Sequence, residues 1–215
     1  MNSTQISEQL HSKLLAGLQQ LRLPLSIAPS LLEYLGLLLR WNATYNLTAV
    51  RDPDEMLTKH LFDSLAIHSL VPNHRRLADL GSGAGLPGIP LAIAKPELQV
   101  TLIESNGKKA RFLREVKRQL NLSNVRVIES RAEHVEESGQ YDLITARALD
   151  RISGILQVGG HLLNADGHLL AMKGQIPPGV LDELPDHWVL QGIEQLVVPG
   201  LEAERHLMII GRRPS

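Results

Sequence analysis

Four glycines, at positions 81, 83, 85 and 88, fall within eight residues directly behind the apolar run Leu77-Ala78-Asp79-Leu80 and ahead of a helix-like stretch, Ile89 to Lys95. This arrangement constrains the fold more than any other feature of the chain. Glycine permits positive φ in a tight turn, and with no side chain it lets a ligand meet the backbone at the end of a strand. Such a turn belongs to sheets in which each strand is followed by a helix, and the sequence beyond Arg76 keeps to that order. Leu77 to Leu80, Val100 to Ile103, Val125 to Ile128, Tyr141 to Ala146 and His168 to Met172 predict strands, while Ile89 to Lys95, Lys108 to Leu120 and Ile152 to Leu163 predict helices between them. Alternation of this kind gives parallel strands joined by helical crossovers. After Gly174 two extended runs, Trp188 to Val198 and His206 to Ile210, follow with no clear helix between them, so the sheet is expected to finish in an antiparallel hairpin.

Ahead of Arg76 the apolar period is helical, through Ile6, Leu10, Leu14, Leu18 and Leu21 and again through Leu31, Leu35, Leu38 and Leu39. A third helix is predicted to start at Asp52 as cap, with Pro53 in the first helical position and Glu55 three residues after the cap, and to run to Pro72. The change of period divides the chain into a helical lobe, 1–75, and an α/β domain, 76–215. The 43% apolar and 21% charged residues are those of an ordinary globular protein. The longest apolar run, Leu31 to Leu39, is broken by Glu33 and Gly36, and Met1-Asn2-Ser3-Thr4 does not begin a signal peptide, so a cytoplasmic protein without a membrane partner is expected. The absence of cysteine removes disulfides, thiolate catalysis and Cys-based metal centres, and the nine histidines show no ligand spacing, so no metal site is expected.

The glycine loop by itself admits two ligands. Gly83-x-Gly85-x-x-Gly88 fits a dinucleotide fingerprint, in which a helix N-terminus holds pyrophosphate. Two features favour S-adenosylmethionine instead. Asp79, two residues before Gly81, places a carboxylate where it can face the cationic methionine end directly or through water, and Pro87 and Pro90 remove backbone donors that a phosphate would use. The antiparallel ending of the sheet points the same way. Glu104 closes the second strand 21 residues after Gly83, where a carboxylate accepts ribose hydroxyls, and Ala132 and Glu133 after the third strand would flank adenine. A solvated glutamate at 104 and an ordinary capping glutamate at 133 are the plainer alternatives.

Charge is uninformative in sum, at −1, and has to be located. The helix from Lys108 turns Phe112, Leu113, Val116 and Leu120 inward and exposes Lys108, Lys109, Arg111, Arg114, Lys117 and Arg118, offset only by Glu115. Such a face suits RNA phosphates and serves equally as a solvated surface. His60 and Asp63 share a helix face and are expected to hydrogen-bond to each other, locking the lobe to the cofactor domain, with acid–base catalysis as the sharper alternative. Trp41, Tyr45 and Asn46 either stack on RNA or anchor the lobe.

Taken together, Trp41-Asn42-x-x-Tyr45-Asn46-Leu47-Thr48-Ala49, Lys59-His60-Leu61-x-Asp63-Ser64-Leu65, the run Asp79 to Leu91, Arg131-Ala132-Glu133, Thr145-Ala146-Arg147-Ala148, Lys173-Gly174 and Glu204-Arg205-His206-Leu207 resemble the bacterial ribosomal RNA small subunit methyltransferase G (GidB) family over nearly the whole chain. The resemblance implies a Rossmann-like class I S-adenosylmethionine-dependent methyltransferase sheet with an N-terminal helical extension. It implies methylation of N7 of one guanine in the 530 loop of 16S rRNA, with S-adenosylhomocysteine as product. By match to the family's cofactor residues it assigns Gly81, Leu86, Ala132, Glu133 and Arg147 to cofactor binding, beside Asp79, Gly83, Gly85 and Glu104. Arg147 is also the catalytic candidate, anchoring cofactor or donating to guanine O6 or phosphate, against a plain ion pair with Asp142 or another carboxylate. Lys108, Lys109, Arg111, Lys173 and Arg205 are the candidates for substrate RNA. Leu149-Asp150-Arg151 departs from the family pattern and Ile176 to Leu184 carries little of it. The partner implied is 16S rRNA within the small ribosomal subunit, preferred over free transcript on the near-neutral charge, with the protein acting as a monomer. The alternatives are a methyltransferase for another substrate and a non-catalytic RNA-binding assembly factor, although no Asn-Pro-Pro-Tyr-like motif of glutamine or adenine-amine methylation follows the fourth strand.

Overall fold

The computed structural model describes residues 3–147, 151–176, 179 and 184–213, the side chains of 3–7 excepted. Its centre is a seven-stranded sheet of order β3-β2-β1-β4-β5-β7-β6. The strands are β1 Arg76–Leu80, β2 Gln99–Ile103, β3 Val125–Ile128, β4 Tyr141–Ala146, β5 Leu163–Lys173, β6 Trp188–Gln195 and β7 His206–Arg212. The first five run parallel, and β7 is antiparallel to both β5 and β6, which is the expected hairpin ending. β1 and β2 are buried at every position but the first, as strands covered on both faces must be.

The pleat sorts neighbouring side chains into two cores. Leu77, Val100, Leu102, Leu143 and Leu170 join the apolar cluster that holds Leu14, Leu18, Leu31, Leu35 and Leu38. Ala78, Leu80, Ile103, Ile144 and Leu169 join the opposite cluster with Ile152, Ile155 and Leu156. The first face therefore carries α1 Ser3–Gln20, α2 Ala28–Tyr45, α5 Gly88–Ala94 and α6 Gly107–Gln119, and the second carries α7 Ile152–Gly159. Residues before and after position 75 share one continuous core. Within the helical part the packing is close: a Cβ on Gly17 would lie 2.1 Å from Cζ of Phe62.

The predicted third helix is not a single α-helix. It consists of α3 Pro53–Met56, a π-helical segment Leu57–Phe62, α4 Asp63–Leu65 and a separate 3-10 turn His68–Leu70. Asp52 caps it through Oδ1, which accepts from the Glu55 N–H at 2.9 Å, while the Glu55 carboxylate turns to Lys59 at 2.9 Å instead of back to the cap. The apolar stripe looked continuous because a π turn slips the register by one residue without exposing its face; Leu57, Leu61 and Phe62 are all buried. The helix predicted to reach Leu163 ends at Gly159 and gives way to a 3-10 turn, Gly160–Leu162, and β5 starts at Leu163 because that residue pairs with Tyr141 ahead of a register shift.

Candidate cofactor and substrate site

The glycine loop joins β1 to α5 at the carboxyl ends of the parallel strands, and it is bound from three sides. Ser82 Oγ donates to Asp79 O at 2.8 Å, the Gly88 N–H donates to Asp79 Oδ2 at 3.1 Å, and Thr145 Oγ1 on β4 donates to Asp79 Oδ1 at 3.1 Å. From the helical face, Tyr34 Oη donates to Ala84 O at 2.7 Å. The Asp79 carboxyl is fully buried, and burial pushes its pKa up to about 7, opposed by the hydrogen bonds from Gly88 and Thr145. Both its oxygens are engaged within the protein, so its visible work is to shape the loop.

The glycines divide into two kinds. Gly85 and Gly88 make room for packing, because a Cβ would come within 2.6 Å of Ile89 Cγ1 and 2.4 Å of Leu102 Cδ2 respectively. Gly81 and Gly83, at φ +61° and +59°, face open space: a Cβ on Gly81 would meet nothing within 4 Å, and one on Gly83 only Gly81 O at 3.7 Å. A bare, positive-φ backbone facing open space leaves room for a ligand to reach the main chain. Leu86 is buried beneath the loop's far end.

Glu104 follows β2, next in the sheet, and is 6% exposed. Oε2 accepts from Gly83 N–H and Oε1 from Asn106 N–H, each at 2.8 Å. A carboxylate oxygen has a second lone pair, so these two bonds leave capacity for ribose hydroxyls. One strand further, Ala132 and Glu133 form a 3-10 turn, Ala132–His134, with Glu133 exposed and 3.7 Å from Arg131. The loops after β1, β2 and β3 follow strands that are neighbours in the sheet, and Glu104 joins the first two through the bond from Gly83 N–H.

Arg147 follows β4, on the other side of β1. It does not pair with Asp142, which lies at the start of β4 and takes Arg75 at 3.1 Å. Nη1 of Arg147 donates instead to Lys59 O at 2.9 Å and Asp63 Oδ2 at 3.2 Å, and Nη2 lies 3.4 Å from His60 Nδ1. Asp63, 4% exposed, also accepts from Arg205 Nε at 2.9 Å. The expected His60–Asp63 hydrogen bond is thereby replaced: Arg147 enters between the two side chains, and the lock between lobe and sheet is built from arginines. Lys59, Asp63, Arg147, Met172, Lys173, Gly174 and Arg205 line a cavity of about 310 Å³.

Lys108, Lys109 and Arg111 stand apart from that cavity, on the first turns of α6, where Asn106 Oδ1 caps by accepting from the N–H groups of Lys108 and Lys109 at 3.0 and 3.2 Å. Glu115 is not the sole counter-charge of this face. It pairs with Arg118 at 2.8 Å, and Glu129, past β3, pairs with Arg114 at 2.7 Å. Among the described residues no carboxylate pairs with Lys108, Lys109 or Arg111. Trp41 anchors α2 on α6, its ring 5.6 Å from that of Phe112, and Tyr45 stacks beside it at 5.3 Å. Leu149 and Asp150, and most of the segment between Ile176 and Leu184, lie outside the described residues, and Arg151 precedes α7 as its N-cap.

Sequence reasoning missed Tyr34 and gave no role to Asn42 and Thr145, which it named only within the family motifs. Tyr34 reads as one more apolar position of α2, and its partner is 50 residues away. No His, Asp or Glu group able to hold a metal occurs among the described residues, and none of their helices is long and apolar enough to cross a membrane.

Solved methyltransferases share this architecture. The chain superposes on TrmN from Thermus thermophilus with a TM-score of 0.54 at 18% identity, over 73% of this chain and 53% of that one. It superposes on an S-adenosylmethionine-dependent methyltransferase from Aquifex aeolicus with 0.54 at 16%, over 74% and 93%. These likenesses establish the fold. Sequence relatives carry more: the ribosomal RNA small subunit methyltransferase G of Stenotrophomonas maltophilia strain K279a is 60% identical over 90% of this chain and 91% of that protein, and its counterpart in Xylella fastidiosa strain M23 is 58% identical over 99% and 100%. The family profile described as GidB, rRNA small subunit methyltransferase G, matches residues 27–208. This chain belongs to the GidB family of rRNA small subunit methyltransferases G.

Proposed function

We propose that the protein transfers a methyl group from S-adenosylmethionine to N7 of a guanine in the 530 loop of 16S rRNA, acting in the cytoplasm as a monomer on the small ribosomal subunit. The observation that carries this is the cradle at Gly81 and Gly83, open and at positive φ, with the buried Glu104 carboxylate beside it, in a chain of this family.

The residues fit such a cofactor. Gly81 and Gly83 would expose backbone to it, Glu104 would accept from its ribose, and Ala132 and Glu133 would flank its adenine, with the buried Gly85, Leu86 and Asp79 shaping the loop from within and Arg147 serving its charged methionine end. When bound, S-adenosylmethionine supplies an electrophilic methyl group on a sulfonium. Guanine N7 carries a lone pair in the ring plane and no proton, so the protein needs no general base, and its task is alignment and electrostatics.

Electrostatics favour the arrangement around Asp63. The purine becomes cationic as the methyl arrives, and two uncompensated guanidiniums nearby would oppose that change. The buried carboxylate of Asp63, shared by Arg147 and Arg205, offsets one of these two charges. Arg147 serves O6, a phosphate or the cofactor, since a hydrogen bond to N7 would occupy the reacting lone pair. Lys173 and Arg205 at the cavity and Lys108, Lys109 and Arg111 on α6 contact RNA phosphates.

The test is tritium transfer from labelled cofactor to small subunits from cells lacking the gene, followed by mass mapping of the rRNA. A single new 7-methylguanosine in the 530 loop is expected. Label on another nucleotide or in protein would redirect the substrate, and cofactor uptake without transfer would favour the assembly-factor alternative.

A further inference from the structure

Two sequence motifs converge on His60, a side chain that the methyl-transfer reading leaves without a role. Asn42, buried at the end of α2, accepts from Thr48 N–H at Oδ1 (2.9 Å) and donates from Nδ2 to Val50 O (3.1 Å). The turn so fixed brings Thr48 Oγ1 to 2.8 Å from His60 Nε2. The other ring nitrogen of His60, Nδ1, lies 3.4 Å from Arg147 Nη2, at the long end of hydrogen-bond reach.

The donors decide the protonation of the ring. A guanidinium has five N–H groups and no lone pair, so the nitrogen that faces it has to be the acceptor. The ring proton then sits on Nε2 and donates to Thr48 Oγ1, and a second proton on Nδ1 would set N–H against N–H. Arg147 Nη1 is held at the same time by Lys59 O and Asp63. Nε–H and one Nη2–H of Arg147 are left without a protein partner among the described residues. His60, 4% exposed and engaged at both nitrogens, has no free edge for substrate.

We propose that His60, as its neutral Nε2–H tautomer, is a positioning residue for Arg147, passing the order of the Asn42–Val50 turn to the guanidinium without adding a charge beside the base to be methylated. The kinetic part of this rests on the methyl-transfer reaction proposed above. The charged groups facing the ring are Arg147 from the end of β4 and Lys59 and Asp63 from its own segment, with Arg205 reaching Asp63 from the β7 side. Burial holds the ring's pKa below its ordinary value, Arg147 and then Lys59 act in the same direction, and the Lys59 backbone and Asp63 oppose them.

Long-range 1H–15N NMR of the full chain without cofactor, with the His60 signals assigned from His60→Gln, reads tautomer and titration independently of activity. A bare Nδ1, a protonated Nε2 and a midpoint below that of an ordinary histidine are expected, and Arg147→Met should raise the midpoint by about half a unit or more. In the transfer assay His60→Ala should lower kcat/KM roughly tenfold or more, with His60→Gln, which keeps an acceptor and a donor, restoring most of it. A proton on Nδ1, a midpoint indifferent to Arg147→Met, or a Gln variant no better than Ala with both falling only as their stability falls, would overturn the proposal. A wild-type protein that transfers no methyl group would sink the reaction instead, and the NMR result would still decide the role of His60.

Discussion

Tyr34 ties the helical face of the molecule to the ligand loop through one hydroxyl, buried completely, with burial pushing its pKa so high that it stays a donor. Tyr34→Phe leaves Ala84 O buried without that bond. It should cost about 1–3 kcal/mol in a denaturant titration and loosen cofactor binding as well. Gly83→Ala separates folding from binding. At φ +59° a Cβ costs about 1–2 kcal/mol, yet the space around it is open, so the variant should fold with a slightly lowered Tm while calorimetry shows cofactor affinity at least about tenfold weaker. Undiminished affinity would remove the cradle from Gly83. Asp79 makes a pH prediction. Its folded pKa, about 7, lies above the ordinary 3.8, so the folded state holds a proton that the unfolded chain releases. Its contribution is therefore complete below about pH 4 and is lost as pH climbs towards 7, by on the order of 4 kcal/mol at most. Asp79→Asn, which stays neutral, should match the wild type near pH 4 and exceed it at pH 8; parallel stability curves would contradict this. The glycines and Glu104 were legible in the sequence because a loop ligand demands residue types at fixed spacing. The partners of Asp79 were not, because Thr145 reaches it from 66 positions away.

At the scale of elements, α6 and the segment from Pro53 to Leu65 show two ways a helix reaches the site. α6 was largely readable: Phe112, Leu113 and Val116 form the expected apolar stripe with cations elsewhere, whereas the cap at Asn106 and the burial of Ala110 were not foreseen and Leu120, expected in the core, is only half-buried. Lys108→Glu with Lys109→Glu should weaken binding to small subunits with cofactor affinity unchanged. The salt dependence of that binding should flatten by roughly one unit of log–log slope for each phosphate that the helix no longer neutralises. A salt dependence like that of the wild type would place RNA elsewhere. The π segment was not readable. Its apolar residues satisfy an α period, and the hydrogen bonds that Lys59 O and the following Asp63 accept come from Arg147, more than 80 residues later.

For the whole molecule, the helices before residue 75 and the sheet behind it form one body, since Leu14, Leu31 and Phe62 share a core with Leu77, Ile89 and Phe112. Trp41 lies in the first part and Trp188 in the second, so fluorescence from single-tryptophan variants should report one unfolding midpoint from both. Two separated midpoints would show that the lobe folds by itself. What the sequence alone determined is whatever depends on neighbours in the chain: strand and helix periods, the parallel sheet with its antiparallel end, the glycine loop and the acidic residue one strand on. Local sterics and alternating burial write these into a few consecutive residues. Only the tertiary structure decided which charges meet. Asp63 sits within one helical turn of His60, yet it holds Arg147 and Arg205, because packing the helices against the sheet buries that carboxylate where two arginines from the ends of distant strands can satisfy it.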